Sequence, residues 1–128
     1  MIRGINHIGI AVKNIDKTLA FLSKVMGAKE LIRKSFPDMG QTSCMISIGN
    51  SRYELMEPLG KGGVIENFLN TRGEGFHHIS LDSDDLDRDC AVFEENGVKF
   101  VMQAKGAAFT HPKTSGGILY EITSGFEV

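Results

Sequence analysis

The chain has 128 residues, a length typical of one domain, at which roughly two-thirds of the unfolded surface becomes buried on folding. Its 14 Lys and Arg residues nearly balance 16 Asp and Glu residues, and no basic run is interleaved with aromatic residues, which excludes a typical nucleic-acid or anionic-membrane partner. The first residues lack the features of a secretory signal, and no apolar run approaches the roughly 18 residues of a membrane-spanning helix. These features predict a cytoplasmic protein.

The first predicted elements are a strand, a helix and three further strands. Residues 5–12 alternate between apolar and other positions, which predicts a strand with His7 on one face and Ile8 on the other. The next helix covers the Ile8 face, and either Asn14 or Asp16 can cap its start. Strand-like segments follow at residues 29–34, 42–48 and 52–57. This half of the chain therefore has the order βαβββ.

The second half repeats that order after a connecting segment. The link at about residues 59–74 contains a predicted short helix at 64–71. The second half then has a strand at 76–82, a helix at about 85–96, and shorter strands near 98–102, 107–110 and 118–123. We therefore predict an α+β fold made of two βαβββ modules, at about residues 1–58 and 75–128.

The two halves also share residues. The segment INHIGIAVKNID, which contains His7, is similar to GFHHISLDSDDLD when His78 is set over His7. The last strands of the modules correspond as well, because YEL around Glu54 matches YEI around Glu121. Each module therefore offers one histidine on its first strand and one glutamate on its last, and structural repeats can bring such residues to one point.

Strand alternation places all four side chains on the same face. Leu55 and its counterpart in the second module belong to the apolar, helix-facing set, which leaves Glu54 and Glu121 on the open face with His7 and His78. Two imidazoles and two carboxylates suit one divalent metal ion, and cobalt, manganese, nickel and zinc all fit. Coordination also satisfies carboxylates that would be costly to enclose without partners.

The adjacent His77 and the two cysteines have other interpretations. Alternation directs His77 to the apolar face, and its counterpart in the first module is Asn6, so His78 is preferred as the ligand although His77 stays an alternative. Cys44 and Cys90 lie in apolar surroundings. We expect buried free thiols there. The alternative is that the two cysteines form a disulfide or act as a pair of metal ligands.

Four segments resemble the vicinal oxygen chelate superfamily, which includes glyoxalase I and extradiol dioxygenases, and within it the methylmalonyl-CoA epimerase family most closely. They are NHIGIAVKNID, GNSRYELMEPLG, IENFLNTRGEGFHHIS and HPKTSGGILYEI, which together run over nearly the whole chain. The resemblance implies one domain over residues 1–128, in which the modules form a cupped, barrel-like mixed sheet with helices outside. It also implies a metal bound by His7, Glu54, His78 and Glu121. A homodimer is expected, in which modules exchange between chains or pack within each chain.

The same resemblance implies a metal-dependent epimerase or racemase of a 2-substituted malonyl-CoA thioester, acting through a metal-stabilised enolate. Glu121 is then the expected base, and Glu54 a candidate on the other side of the substrate. One alternative is a glyoxalase I-like lyase of the lactoylglutathione lyase type, which acts on a thiol adduct. Another is a non-catalytic protein that binds a small ligand.

Two features depart from the epimerase pattern or leave a choice open. Some bacterial epimerases have a further glutamate at the position of Ser43. A serine cannot replace that base, and Ser43 is expected instead as a residue that binds the substrate. The second base is then Glu54, water or Asp38, or the substrate differs from that of the epimerases. His111 and Lys113, in the HPKTSGG segment, either contact an anionic group of the substrate or belong to a turn with a structural role.

Overall fold

The structure, a computed structural model, describes residues 1–104 and 106–125. Its elements confirm the predicted α+β fold with two successive βαβββ modules. The strands and helices are β1 (Ile2–Ala11), α1 (Ile15–Met26), β2 (Lys29–Phe36), β3 (Gln41–Ile48), β4 (Ser51–Pro58), α2 (Val64–Arg72), β5 (Gly75–Ser83), α3 (Leu86–Glu95), β6 (Phe100–Ala104), β7 (Ala107–Thr110) and β8 (Tyr120–Thr123). Short 3-10 turns lie at Pro37–Met39 and Pro112–Thr114.

The chain divides into two compact units. One, called the His78 unit below, combines Met1–His7 with the chain from His78 onward. The other, called the Glu54 unit, comprises Ile8–His77. Strand β1 therefore contributes its first residues to one unit and its last residues to the other. The assignment of residues 1–128 to one domain, with a link at 59–74, stays a prediction.

In the Glu54 unit the strands follow the order β2-β3-β4-β1, and β1 runs parallel to β4 with Gly9 opposite Glu54. Helix α1 begins where the side chain of Asn14 accepts a hydrogen bond from the Lys17 amide, and it ends at Gly27 in the left-handed conformation. The apolar face of α1 packs on the sheet. The core formed there contains Val12, Ile15, Leu22, Ala28, Cys44, Ile46 and Leu55.

Helix α2 covers a different part of the same unit. Ile65 is fully buried against Ala11 and Met56, and Phe68 and Leu69 pack around them. These are the three side chains of α2 whose helical spacing places them on one face. The predicted helix in the connecting segment is confirmed, and it extends one residue further, to Arg72.

In the His78 unit the strand order is β1-β5-β8-β7-β6, and β5 runs parallel to β8 with Ser80 opposite Glu121. Helix α3 is capped by Asp85, whose side chain accepts a hydrogen bond from the Arg88 amide. The core contains Cys90, Ala108 and Ile122, with Ile2, Leu86, Phe93 and Phe100 packed around them.

These cores determine which way the functional strands face. Leu55 and Ile122 are both completely buried in the helix-facing cores of their own units. Side chains alternate along a strand, so Glu54 lies on the face of β4 that points away from the helix-facing core of its unit. Glu121 lies on the corresponding face of β8. The predicted parity is confirmed in each unit.

Cys44 and Cys90 are free and buried, as expected. None of the helices among residues 1–104 and 106–125 is both long enough and apolar enough to span a membrane.

Candidate metal centre

Three potential metal ligands converge in the His78 unit. The Nε2 atoms of His7 and His78 are 3.4 Å apart. Oε1 of Glu121 lies 3.5 Å from Nε2 of His7 and 3.8 Å from Nε2 of His78. Both imidazoles are almost completely buried, and the Glu121 side chain is 16% exposed. The structure thus brings together three of the four ligands that the sequence predicts.

These separations suit a metal ion. First-row metals bind nitrogen and oxygen ligands at roughly 2.0–2.2 Å, so neighbouring ligand atoms lie on the order of 3.0–3.5 Å apart. The distances among the three donor atoms, 3.4 to 3.8 Å, are close to that spacing. A carboxylate in such an enclosed place also needs a positive partner. The donor set therefore fits a divalent cation in both geometry and charge.

Aromatic packing holds the two imidazoles. The rings of His7 and His78 meet edge to face, with centroids 5.4 Å apart. Phe109 of β7 also packs edge to face with His78, with ring centroids 6.0 Å apart. Phe109 is the register partner of Glu121, so both lie on the same face of the sheet. The sequence did not predict this contact, because β7 lies two strands away from β5 in the sheet.

Asn6 contacts the ring of His7 directly. Nδ1 of His7 lies 2.8 Å from Oδ1 of Asn6, and both residues are buried. A carbonyl oxygen only accepts hydrogen bonds, so in this geometry Nδ1 is the donor, which leaves Nε2 as the ring nitrogen for a metal. Histidines that bind metals are commonly oriented in this way by a partner on the other ring nitrogen. Sequence reasoning missed Asn6, because strict alternation directs adjacent residues to opposite faces.

The remaining glutamate belongs to the Glu54 unit. Glu54 is half-buried on β4, opposite Gly9 of β1 and on the face that points away from α1. Ser43 of β3 lies along the same face, because its neighbour two residues on, Met45, is opposite Glu54. Ser43 is buried, and its hydroxyl accepts a hydrogen bond from Nε2 of Gln41 at 2.9 Å. Asp38 is exposed in the 3-10 turn before β3.

His111 and Lys113 lie in the turn before β8. Nδ1 of His111 accepts a hydrogen bond from the Lys113 amide at 3.3 Å, and its carbonyl accepts one from the Thr114 amide at 2.9 Å. Lys113 is exposed. These bonds give His111 a local role at the start of the turn, and a contact with substrate stays a prediction.

The ring of His77 packs elsewhere. It meets Phe68 of α2 edge to face, with centroids 5.0 Å apart, inside the Glu54 unit. His78, its neighbour in the sequence, lies 3.4 Å from His7 by its Nε2 atom. The alternation of β5 thus separates the surroundings of two adjacent histidines.

Two βαβββ modules with a buried His and Glu cluster define a class of small α+β proteins suited to binding a divalent metal. The sequence profile of the Glyoxalase/Bleomycin resistance protein/Dioxygenase superfamily matches residues 6–113. The chain belongs to this superfamily.

Its relatives include acyl-CoA epimerases. An ethylmalonyl-CoA/methylmalonyl-CoA epimerase of Cereibacter sphaeroides is 32% identical, over 95% of this chain and 98% of the relative. The mitochondrial methylmalonyl-CoA epimerase of Homo sapiens is 31% identical, over 92% of this chain and 72% of the relative. A solved methylmalonyl-CoA epimerase in complex with methylmalonyl-CoA and NH4+ aligns with a TM-score of 0.88 at 28% identity, covering 100% of this chain and 98% of that one.

Proposed function

We propose that this protein is a metal-dependent epimerase of a 2-substituted malonyl-CoA thioester, with methylmalonyl-CoA as the expected substrate. The observation that carries the proposal is the convergence of His7, His78 and Glu121 within 3.8 Å of one another. The relatives supply the substrate class, because epimerases of ethylmalonyl-CoA and methylmalonyl-CoA match nearly the whole chain. The enzyme is accordingly an isomerase.

Four side chains are the proposed ligands of one divalent ion. His7, His78 and Glu121 have the geometry described above, and Glu54 is the fourth. Glu54, which is half-buried on β4, would supply the second carboxylate. Cobalt, manganese, nickel and zinc all accept this combination of nitrogen and oxygen ligands.

The chemistry is an inversion at the carbon between a carboxylate and a thioester carbonyl. The metal, when bound, stabilises the negative charge that develops on the substrate oxygens as the proton leaves. Glu121 is the proposed base, because its carboxylate lies at the enclosed cluster and a carboxylate can accept the α-proton.

A proton must return to the opposite face for the carbon to invert. Ser43 stands where some epimerases have a glutamate, and its hydroxyl already accepts a hydrogen bond from Gln41. Glu54, on the same face of the Glu54 unit as Ser43, is the proposed second base, with Asp38 or water as the alternatives. A glyoxalase-type lyase would use the same proton transfer on a thiol adduct, and it is the competing function in the test below.

The test follows the α-proton of methylmalonyl-CoA in heavy water. The metal-loaded protein is expected to exchange this proton for deuterium and to interconvert the epimers, as read by NMR. Glu121→Gln should slow exchange by about 100- to 10,000-fold, the usual contribution of a general base. Glu95→Gln, a change on an exposed residue of α3, is the matched control. Turnover of a glutathione hemithioacetal without exchange of methylmalonyl-CoA would overturn the proposal in favour of the lyase.

We also propose a cytoplasmic homodimer. The support for the dimer is β2, which ends the strand order and has almost all its side chains exposed. Such edges invite pairing or coverage by another chain. The near-neutral balance of charged residues is compatible with that location.

A further inference from the structure

Ser80 has a buried hydroxyl without a partner. The residue is completely buried on β5. Its Oγ atom is the only buried side-chain polar atom of the described residues that lacks a hydrogen bond. Burial removes a hydroxyl from water, so a missing partner costs free energy and calls for a functional or structural reason.

The position of Ser80 relates this hydroxyl to Glu121. Ser80 is two residues after His78 on the same strand, so both side chains lie on one face. In the parallel pairing of β5 with β8, Ser80 is directly opposite Glu121. Neighbouring strands are about 4.8 Å apart, which places a serine hydroxyl within reach of a carboxylate on the adjacent strand when that carboxylate turns.

The equivalent position of the other module is different. In the parallel pairing of β1 with β4, the residue opposite Glu54 is Gly9, which has no side chain. Gly9 follows His7 by two residues, as Ser80 follows His78. At this position the repeat therefore supplies a hydroxyl opposite Glu121, the proposed first base, and none opposite Glu54.

We infer that Ser80 is a positioning residue, whose hydroxyl donates a hydrogen bond to the Glu121 carboxylate when the metal is bound. The inference rests on the proposed metal site and deepens it. A carboxylate that gives one oxygen to a metal has a second oxygen that needs a donor, and a hydroxyl can rotate to meet it. Partners of this kind orient metal-binding side chains, and their loss commonly weakens metal affinity about 10- to 100-fold.

The inference predicts two effects of opposite sign for Ser80→Ala. The metal-free variant should be at least as stable as the wild type in thermal unfolding, because the substitution removes a buried hydroxyl without a partner. The same variant should bind Co²⁺ at least about 10-fold more weakly and show a shifted visible spectrum of the bound Co²⁺. With methylmalonyl-CoA, kcat should fall with little change in KM.

Two further variants make the test specific. Ser80→Thr keeps the hydroxyl and should retain most of the Co²⁺ affinity and the wild-type spectrum. Ser47→Ala, a serine of β3 in the Glu54 unit, is the control for a serine change in a strand and should leave both unchanged. The inference is overturned if Ser80→Ala binds Co²⁺ with the affinity and spectrum of the wild type, or if the wild type binds no Co²⁺. A wild type that binds Co²⁺ but does not epimerise defeats the proposed function alone, since the Co²⁺ measurements still decide the role of Ser80.

Discussion

Nε2 of His7 and Nε2 of His78 lie 3.4 Å apart, although 71 residues separate the two histidines in the chain. Two protonated imidazoles would repel each other at this distance in a buried place. The pair is therefore suited to sharing a cation through unprotonated nitrogens. Glu121, whose Oε1 is 3.5 Å from the same atom of His7, adds the negative charge that favours such a cation.

The histidine pair leads to a prediction about metal content. His7→Ala and His78→Ala each remove a ligand, so bound metal should fall from about one equivalent to a small fraction, as measured by elemental analysis of the purified protein. Activity should fall at least about 100-fold, because the metal supplies several kcal/mol of charge stabilisation. His77→Ala is the matched control, since its ring packs on Phe68, and it should keep the metal. Equal loss of metal in all three variants would contradict this ligand assignment.

Asn6 provides a prediction about the orientation of His7. Asn6→Leu removes the acceptor for the Nδ1 proton, so the ring loses its fixed tautomer and the metal should bind about 10- to 100-fold more weakly, as measured by calorimetric titration. Asn6→Asp keeps an acceptor oxygen in the same place and should bind metal more tightly than Asn6→Leu. If the two variants bound metal equally, the hydrogen bond between Asn6 and His7 would have no part in orienting the ligand.

The buried cysteines give a prediction about pH and reactivity. Burial raises the pKa of both the Cys44 and the Cys90 thiols, and the negative charges of nearby acidic groups add to the effect. At pH 8 a thiol reagent should therefore modify the native protein at least about 10-fold more slowly than the urea-unfolded protein. If the native protein reacted as fast as the unfolded protein, the prediction that both thiols are protected by burial would be contradicted.

The sign of the pH effect on stability follows from the same pKa shifts. When the pKa of a thiol is higher in the folded than in the unfolded state, its contribution to the unfolding free energy is fully present below the unfolded pKa, about 8.5. That contribution is lost as the pH rises through the folded pKa. The unfolding free energy, measured in urea between pH 7 and pH 10, should therefore decline above about pH 8.5. Cys44→Ala with Cys90→Ala should reduce that decline.

The elements of the fold could be predicted to within a few residues because their signals are local. Asn14 and Gly27 define the ends of α1 by capping and by a left-handed conformation, and both can be recognised in the sequence. Strand β1 begins at Ile2, three residues before its predicted start, since the alternation in its first residues is weak. Element order and boundaries therefore depended little on contacts between distant residues.

Much of the candidate site could also be predicted from the sequence, because side-chain direction along a strand has a period of two residues. That period, with the repeat of the module, was enough to prefer His78 over His77 and to place Glu121 with the histidines of its unit. The substrate class came from the resemblance of whole segments to a family. Neither composition nor spacing indicates a CoA thioester.

The sequence by itself therefore determined the two βαβββ modules and the faces of their strands, since propensity, capping and alternation act over a few neighbouring residues. Only the tertiary structure decided which atoms meet. The contact of Asn6 with His7 joins two adjacent residues that are both buried, which alternation along β1 does not predict. The position of Ser80 opposite Glu121 depends on the register of β5 with β8, two strands that are distant in the chain. Register is a property of paired strands, so no single segment of the sequence contains it.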